Sequence, residues 1–319
     1  MRRKIVVTYK IPDCGFNTMG KEYEIIFPQQ DMISEEEINK HIGDADALVS
    51  VFGLKLHNKL IDRAKKLKLI ANFGVGYDNI DIKYASEKGI TVTNTPDPVT
   101  EPTAELAMGL MISVARKIAF LNQQLKLKTG LQTGVMKNLS TTLTGKTLGI
   151  IGMGAIGQAL ARRALAFGMN IVYCKRKKLS PEIETKYNAK KLSLEDLMKT
   201  SDVVSLNTPL TDETFHLIGS KELNCMKKSA YLINTARGSV VNQPDLIDAL
   251  KNNIIAGAGL DVYENEPHIP DALLNLDNVV LTPHTGTATT ETRKEMSLLV
   301  TQIIQSFFNQ QLDKYIVTP

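Results

Sequence analysis

Three side chains stand just past short apolar runs and have the types needed to move a proton beside a carboxylate. Arg237 follows YLINTA and precedes Gly238, Glu266 lies in the loop YENEP, and His284 follows VVLTP. An arginine can take a carboxylate through two parallel hydrogen bonds. A histidine is the side chain best suited to trade a proton near neutral pH. A glutamate beside it can hold the imidazole and favour its charged form. Each residue alone is ordinary surface or loop content. Three of them, each following a strand of one parallel sheet at the edge where ligands bind, is a different matter. His41, His57, His216 and His268 lack that setting and are read as structural or surface residues.

Proton transfer of this kind serves hydride transfer when a dinucleotide is at hand, and the segment 146–178 supplies the signature. A short apolar run, 148–151, leads into Gly152, Gly154 and Gly157, spaced G-x-G-x-x-G. Apolar residues then recur at helical spacing over 155–167 and stop at Gly168, and 169–173 reads as a second strand. The first glycine permits the tight turn, the second lets backbone approach a pyrophosphate, and the third lets helix and strand pack closely. The helix N-terminus offers N–H groups and a positive dipole end to the phosphates. Strand, glycine turn, helix and strand within about thirty residues is the context this fingerprint requires.

The end of the second strand selects the cofactor. NAD enzymes place an acidic residue about twenty positions after the first glycine, on the ribose hydroxyl. Here no Asp or Glu occurs between Gln158 and Pro181, and the strand ends in Cys174, Lys175, Arg176, Lys177 and Lys178. Guanidinium and ammonium groups bind a 2′-phosphate that a carboxylate would repel. The expectation is NADP(H) over NAD(H), with Arg176 as the main clamp and NAD(H) still usable.

The chain has 319 residues, 43% hydrophobic and 23% charged, with a net charge of +4. That length suggests two domains, and the charge is too mild and scattered to argue for nucleic acid. Cys14, Cys174 and Cys225 have no CxxC spacing and fit a reducing compartment without a metal site. The apolar run in MRRKIVVTYK is too short for a signal peptide, and 104–115 is too short to span a bilayer. A soluble cytoplasmic protein with no membrane association is expected.

The positioning elements alternate. Strands are expected at 5–8, 24–27, 47–51, 69–72 and 91–93, with helices at 34–41, 58–66 and 82–88 between them, and Ser34 with Glu37 has capping-box spacing. The stiff Pro96-Asp97-Pro98 marks a hinge or linker. One long helix is expected over 101–122, then a polar stretch, 126–144, before the glycine turn. Further strands fall at 203–207, 231–235, 259–262 and 279–282, with helices at 193–199, 220–226 and 243–251. A last long helix covers 290–308, and 315–318 is a candidate closing strand. The fold class is therefore α/β, two Rossmann-like doubly wound parallel sheets. The expected division is a discontinuous substrate domain, 1–100 with 288–319, and a dinucleotide domain, 101–287, with the active site in the cleft between them.

Seven segments together carry a family pattern. They are NFGVGYDNID at 72–81, NTPDPVTEPTAELA at 94–107, GKTLGIIGMGAIGQALARRALAFGM at 145–169, SLNTPLTDETFHLI at 205–218, INTARG at 233–238, GAGLDVYENEP at 257–267 and TPHTGTAT at 282–289. With these the chain resembles the D-isomer-specific 2-hydroxyacid dehydrogenase family over nearly its whole length. The resemblance implies that Arg237 binds the carboxylate and carbonyl of a 2-oxoacid, that His284 is the general acid and that Glu266 is its partner. It implies that Val75 and Gly76 offer backbone N–H groups to the carboxylate, that Phe52 helps shape the substrate site, and that Asp261 orients the nicotinamide amide. Thr103, Ala155, Ile156, Thr208, Pro209, Thr235, Ala236 and Gly286 join the glycines in lining the cofactor groove. It also implies a homodimer.

Departures within the family narrow the expectation. The basic CKRKK resembles the NADPH-preferring glyoxylate, hydroxypyruvate and hydroxyphenylpyruvate reductases. Glu266 stands where the formate-oxidising branch has Gln, the Trp many relatives carry near 126–138 is missing, and with the sequence ending at Pro319 no regulatory domain is expected. The expected activity is reduction of glyoxylate or hydroxypyruvate to the D-2-hydroxyacid. Bulkier oxoacids such as hydroxyphenylpyruvate or 2-ketogluconate are the alternative, with 51–54 shaping that part of the site. A nucleotide-sensing scaffold or corepressor on the same fold is the reading from another class.

Overall fold

The computed structural model describes residues 2–319. In chain order the first elements are β1 (Arg3–Val7), β2 (Tyr23–Ile26), α1 (Glu35–His41), β3 (Ala47–Ser50), α2 (Asn58–Arg63), β4 (Leu69–Asn72), α3 (Ile82–Glu87) and β5 (Thr91–Thr93). Next come α4 (Thr100–Ala115), α5 (Ile118–Lys126), β6 (Thr147–Ile151), α6 (Ala155–Ala166), β7 (Asn170–Cys174), α7 (Pro181–Lys186), β8 (Ala189–Lys191), α8 (Leu194–Thr200) and β9 (Val203–Leu206). The chain then runs through α9 (Ser220–Cys225), β10 (Tyr231–Asn234), α10 (Gln243–Lys251), β11 (Gly257–Leu260), α11 (Asp271–Leu274), β12 (Val279–Leu281) and α12 (Thr290–Phe308). Two compact units result: the described residues through Val99 with Thr287–Pro319, and Thr100–Gly286.

The first unit is a five-stranded parallel sheet in the order β2-β1-β3-β4-β5. Its central strands are apolar without alternation and buried on both faces, as a covered parallel sheet demands. Ile38, Leu60, Ile70 and Val92 fill one face. On the other, Val7, Val49 and Phe73 meet Met296, Val300 and Ile304 of α12, so the last helix completes this unit. Each such side chain contributes roughly 1.5–3 kcal/mol on burial. The capping box read at Ser34 and Glu37 is present: the Glu37 N–H donates to Ser34 Oγ and the Ser34 N–H to Glu37 Oε2.

The second unit is a seven-stranded parallel sheet in the order β12-β11-β10-β9-β6-β7-β8. Read outward from β6, the order reverses between β6 and β9, the switch point at which such sheets bind nucleotides. Thus β10, β11 and β12 are successive neighbours, in register from Tyr231↔Gly257 and Ala258↔Val279 onward. No helix among the described residues is long and apolar enough to cross a membrane.

Three expectations change. The helix expected over 101–122 is two helices, α4 and α5, because Lys117 adopts a left-handed conformation (φ 56°). α4 buries eight residues against the sheet and α5 buries none, so the chain turns where its packing partner ends. A lysine gives no warning of that turn, since glycine or asparagine usually marks it. The candidate strand at 315–318 makes only an isolated antiparallel bridge, Thr93↔Ile316. The basic segment 175–178 is followed by a short helix and strand, α7 and β8, that periodicity over so few residues does not reveal.

Candidate active site

Arg237 follows β10, Glu266 lies in the loop after β11, and His284 follows β12, so adjacency of the three strands brings all three to one carboxyl edge. His284 Nδ1 is 2.7 Å from Glu266 Oε2. The second carboxylate oxygen, Oε1, accepts the Tyr263 N–H at 2.9 Å. Burial opposes ionisation of Glu266. The hydrogen bond and charge of His284, the Tyr263 N–H and the charge of Arg237 outweigh it and hold the carboxyl below its ordinary value of 4.5. An ionised carboxylate can only accept, so the imidazole proton at this contact is on Nδ1. Nε2 is then the nitrogen that faces away from Glu266.

His284 is aimed by its backbone. Its φ of 52° lies in the left-handed region, uncommon for a residue with a side chain, and its N–H donates to Asp261 O at 2.8 Å. Asp261, 1% exposed, ties the same turn down through its carboxylate. Thr282 Oγ1 donates to it at 2.6 Å, the Thr285 N–H at 2.7 Å and the Gly286 N–H at 2.8 Å. Tyr263 OH donates to Thr282 O at 3.0 Å, and burial pushes its hydroxyl pKa well up.

Arg237 is fixed from its main chain. Buried Asn234 donates through Nδ2 to Arg237 O at 2.9 Å and accepts the Ala236 N–H at 3.0 Å. Gly238 lets the next turn close: a Cβ there would stand 1.9 Å from Tyr263 C and 2.4 Å from Glu264 N. The loop carrying Glu266 thus rests directly on the backbone beside Arg237. Asn234, Tyr263 and Gly238 are positioning residues that sequence reasoning missed. Their only signal is that they lie inside INTARG and YENEP beside Arg237 and Glu266.

The glycine turn fits a dinucleotide. Gly152 has φ +93°, and a Cβ on it would stand 2.5 Å from Asn207 O. A Cβ on Gly157 would stand 2.5 Å from Gly152 O, so helix and strand meet at contact distance. Gly154 faces open space and no side chain caps it, which leaves the N-terminus of α6 at Ala155 and Ile156 to a ligand. Around it, Asn207 Oδ1 and Thr235 Oγ1 are buried without a hydrogen-bond partner among the described residues, next to Thr208, Pro209 and Ala236. Gly286 lies between Asp261 and Thr103, 3.3 and 3.5 Å from where its Cβ would be. Beyond β7, Lys175, Arg176, Lys177 and Lys178 are exposed, and Lys191 Nζ donates to Arg176 O at 3.1 Å. Burial pushes the Cys174 thiol up.

In the first unit, Val75 and Gly76 follow β4 and Phe52 follows β3, its neighbour. The carbonyls of this turn are all engaged. Asn72 Nδ2 donates to Gly74 O at 3.0 Å and Gly76 O at 2.8 Å, and Asn94 Nδ2 donates to Val75 O at 2.9 Å. The N–H groups of Val75 and Gly76 donate to no atom among the described residues. Adjacent N–H groups without an internal acceptor are donors that an anion could take.

His216, read as structural or surface, is half-buried and pairs with Glu264 at 2.6 Å. Among the described residues no cluster of His, Cys, Asp or Glu could hold a metal ion.

A glycine-turn parallel sheet with Arg, Glu and His on adjacent strand ends defines a nicotinamide-dependent oxidoreductase. Residues 108–286 match the D-isomer specific 2-hydroxyacid dehydrogenase, NAD binding domain. Over 322 aligned residues, 99% of this chain and 97% of the relative, the chain is 44% identical to the glyoxylate reductase of Thermococcus litoralis. A glyoxylate reductase from Paecilomyes thermophila superimposes with a TM-score of 0.89 at 36% identity, covering 99% of this chain and 98% of that one. The NADPH-dependent glyoxylate/hydroxypyruvate reductase of Sinorhizobium meliloti, in complex with NADP and malonate, gives 0.87 at 33% identity over 99% and 97%. The chain belongs to the D-isomer specific 2-hydroxyacid dehydrogenase family and is an NAD(P)-dependent oxidoreductase acting on 2-oxoacids.

Proposed function

We propose that this enzyme reduces glyoxylate or hydroxypyruvate to the D-2-hydroxyacid with NADPH. The observation that carries the reading is the His284–Glu266 pair at 2.7 Å, on the strand end next to that of Arg237. Reduced nicotinamide, when bound, supplies the hydride that C2 of the oxoacid receives. Arg237 holds the carboxylate through parallel hydrogen bonds, and in the first unit the N–H groups of Val75 and Gly76 are donors of the kind a carboxylate takes. As C2 accepts the hydride pair, negative charge gathers on the carbonyl oxygen, and protonated His284 gives it the Nε2 proton. The Nδ1 proton stays with Glu266, whose charge offsets that of the imidazolium. The preference for NADPH is supported by exposed Lys175, Arg176 and Lys177 beyond β7 and by the absence of any carboxylate from 159 to 180. The Sinorhizobium relative, solved with NADP, supports it too.

Exposed apolar side chains on and after α5, among them Ile118, Leu125, Leu127, Val135, Met136 and Leu139, support a homodimer built on this segment. The free cysteines support a reducing, cytoplasmic setting. The test follows NADPH absorbance against glyoxylate, hydroxypyruvate, hydroxyphenylpyruvate and 2-ketogluconate, and again with NADH. Turnover of one of the first two, lost in His284→Ala, is expected. Turnover confined to the bulkier pair, or tight NADPH binding with no turnover, overturns the reading.

A further inference from the structure

α12 brings an arginine to the edge of the first unit where Phe52 and the Val75–Gly76 amides lie. Arg293, at the end of the first turn of that helix, is half-buried, and its guanidinium carbon lies 6.0 Å from the Phe52 ring centroid. Among the described residues its only polar contact is a weak one, Nη1 to Met296 Sδ at 3.9 Å, and no carboxylate is within ion-pair distance. A half-buried guanidinium without a counter-charge is partly desolvated, a cost that a ligand supplying acceptors would offset. A cation–π contact with Phe52 engages the guanidinium face and leaves its N–H groups available.

Strand pairing places this group relative to the amides. Ser50 of β3 pairs with Asn72 of β4, so Phe52 and Val75 leave the same edge of neighbouring strands, two and three residues further on. Under the reading above, on which this inference rests, the amides take the oxoacid carboxylate. A cation at the same sheet edge then meets what the oxoacid carries beyond C2. We propose that Arg293 is a specificity-determining residue that recognises hydrogen-bond-accepting oxygen at C3 of the substrate, a hydroxyl that C3 carries or a carboxylate that C3 forms. The substrate class narrows to short 2-oxoacids polar at C3, with hydroxypyruvate favoured over pyruvate, because a site built to hold a polar group rejects the analogue that lacks it.

The experiment compares hydroxypyruvate, pyruvate and glyoxylate with NADPH in wild type, Arg293→Gln and Arg293→Lys. Wild type should favour hydroxypyruvate over pyruvate in kcat/KM by at least about 100-fold, a ratio in the range polar recognition supplies. Arg293→Gln should cut that ratio at least tenfold, chiefly through KM for hydroxypyruvate, with a smaller loss for glyoxylate, which has no C3. Arg293→Lys, which keeps the charge without the fork, should fall between. Equal losses on all three substrates, or an unchanged ratio, overturn the proposal. A second arm needs no turnover: calorimetry on the NADP-loaded enzyme should show tartronate binding at least tenfold tighter than lactate, and Arg293→Gln should remove the difference. If wild type reduces none of the oxoacids, the oxoacid reading fails. The calorimetric comparison still judges Arg293, because equal affinities for tartronate and lactate in wild type, or an unaltered gap in the variant, overturn it.

Discussion

His284 Nδ1 donates to Glu266 Oε2 across 2.7 Å, although the two residues lie in loops after different strands. Each loop is anchored from beneath, His284 by the Asp261 carbonyl and Glu266 by the Tyr263 N–H. The pair is thus held by main chain, and its chemistry can be tested without dismantling the fold.

His284→Ala should lower kcat by about 10²- to 10⁴-fold, the usual worth of a positioned acid, with NADPH affinity retained. Single-turnover absorbance at saturating NADPH reads the chemical step, and an unchanged rate removes the proposed role.

Glu266 should impose an acid limb on reduction. Its carboxyl is held below 4.5, so Nδ1 keeps its acceptor until the pH falls beneath the ordinary glutamate value. Glu266→Gln should lower kcat at neutral pH and abolish that limb. A pH–kcat profile of both proteins, over the range in which each stays folded by circular dichroism, decides it.

Arg176→Ala should weaken NADPH at least tenfold and leave NADH within about threefold, as loss of a charge-assisted contact to a 2′-phosphate requires. Fluorescence titration of both cofactors measures it, and equal losses would refute the clamp.

Gly238→Ala should cost about 1–3 kcal/mol or more, because its Cβ would meet Tyr263 main chain rather than a side chain that can swing away. The loop carrying Glu266 must move, so kcat should fall along with the urea midpoint. Full activity at wild-type stability would show that the loop does not depend on this contact.

Asp202 links three strands. Its carboxylate accepts the Thr147 N–H at 2.9 Å and Lys227 Nζ at 3.0 Å, and its carbonyl accepts the Tyr231 N–H. Burial opposes its ionisation, yet the Thr147 N–H, the Lys227 ammonium and the charges of Lys227 and Lys146 hold it below the ordinary aspartate value of 3.8. Its stabilising contribution is therefore complete above that value and fades as pH falls through the lower folded one. Asp202→Asn should be less stable at neutral pH by about 1–3 kcal/mol and should lose less on acidification. Urea titrations at pH 7 and in acid read both effects.

Much of this was legible in the chain because the signals are local. Strand runs such as ALVS and LIAN, the capping box at Ser34 and the glycines of the turn each encode their own backbone within a few residues. The types of Arg237, Glu266 and His284, each after an apolar run, announced a carboxylate-binding, proton-moving site. What remained hidden depends on partners far along the chain. The left-handed Lys117 that ends α4 answers to where the sheet stops, and Asn72 and Asn94 engage the carbonyls of Gly76 and Val75, contacts that no pattern marks. Arg293 reads as one more helix cation until α12 is seen against Phe52. Sequence alone settled the class of fold and the chemical types at the site, because backbone preference and side-chain chemistry are properties of short segments. Tertiary structure decided which atoms face one another and which charge lacks a partner, because distance and burial are set by the packing of remote strands and helices.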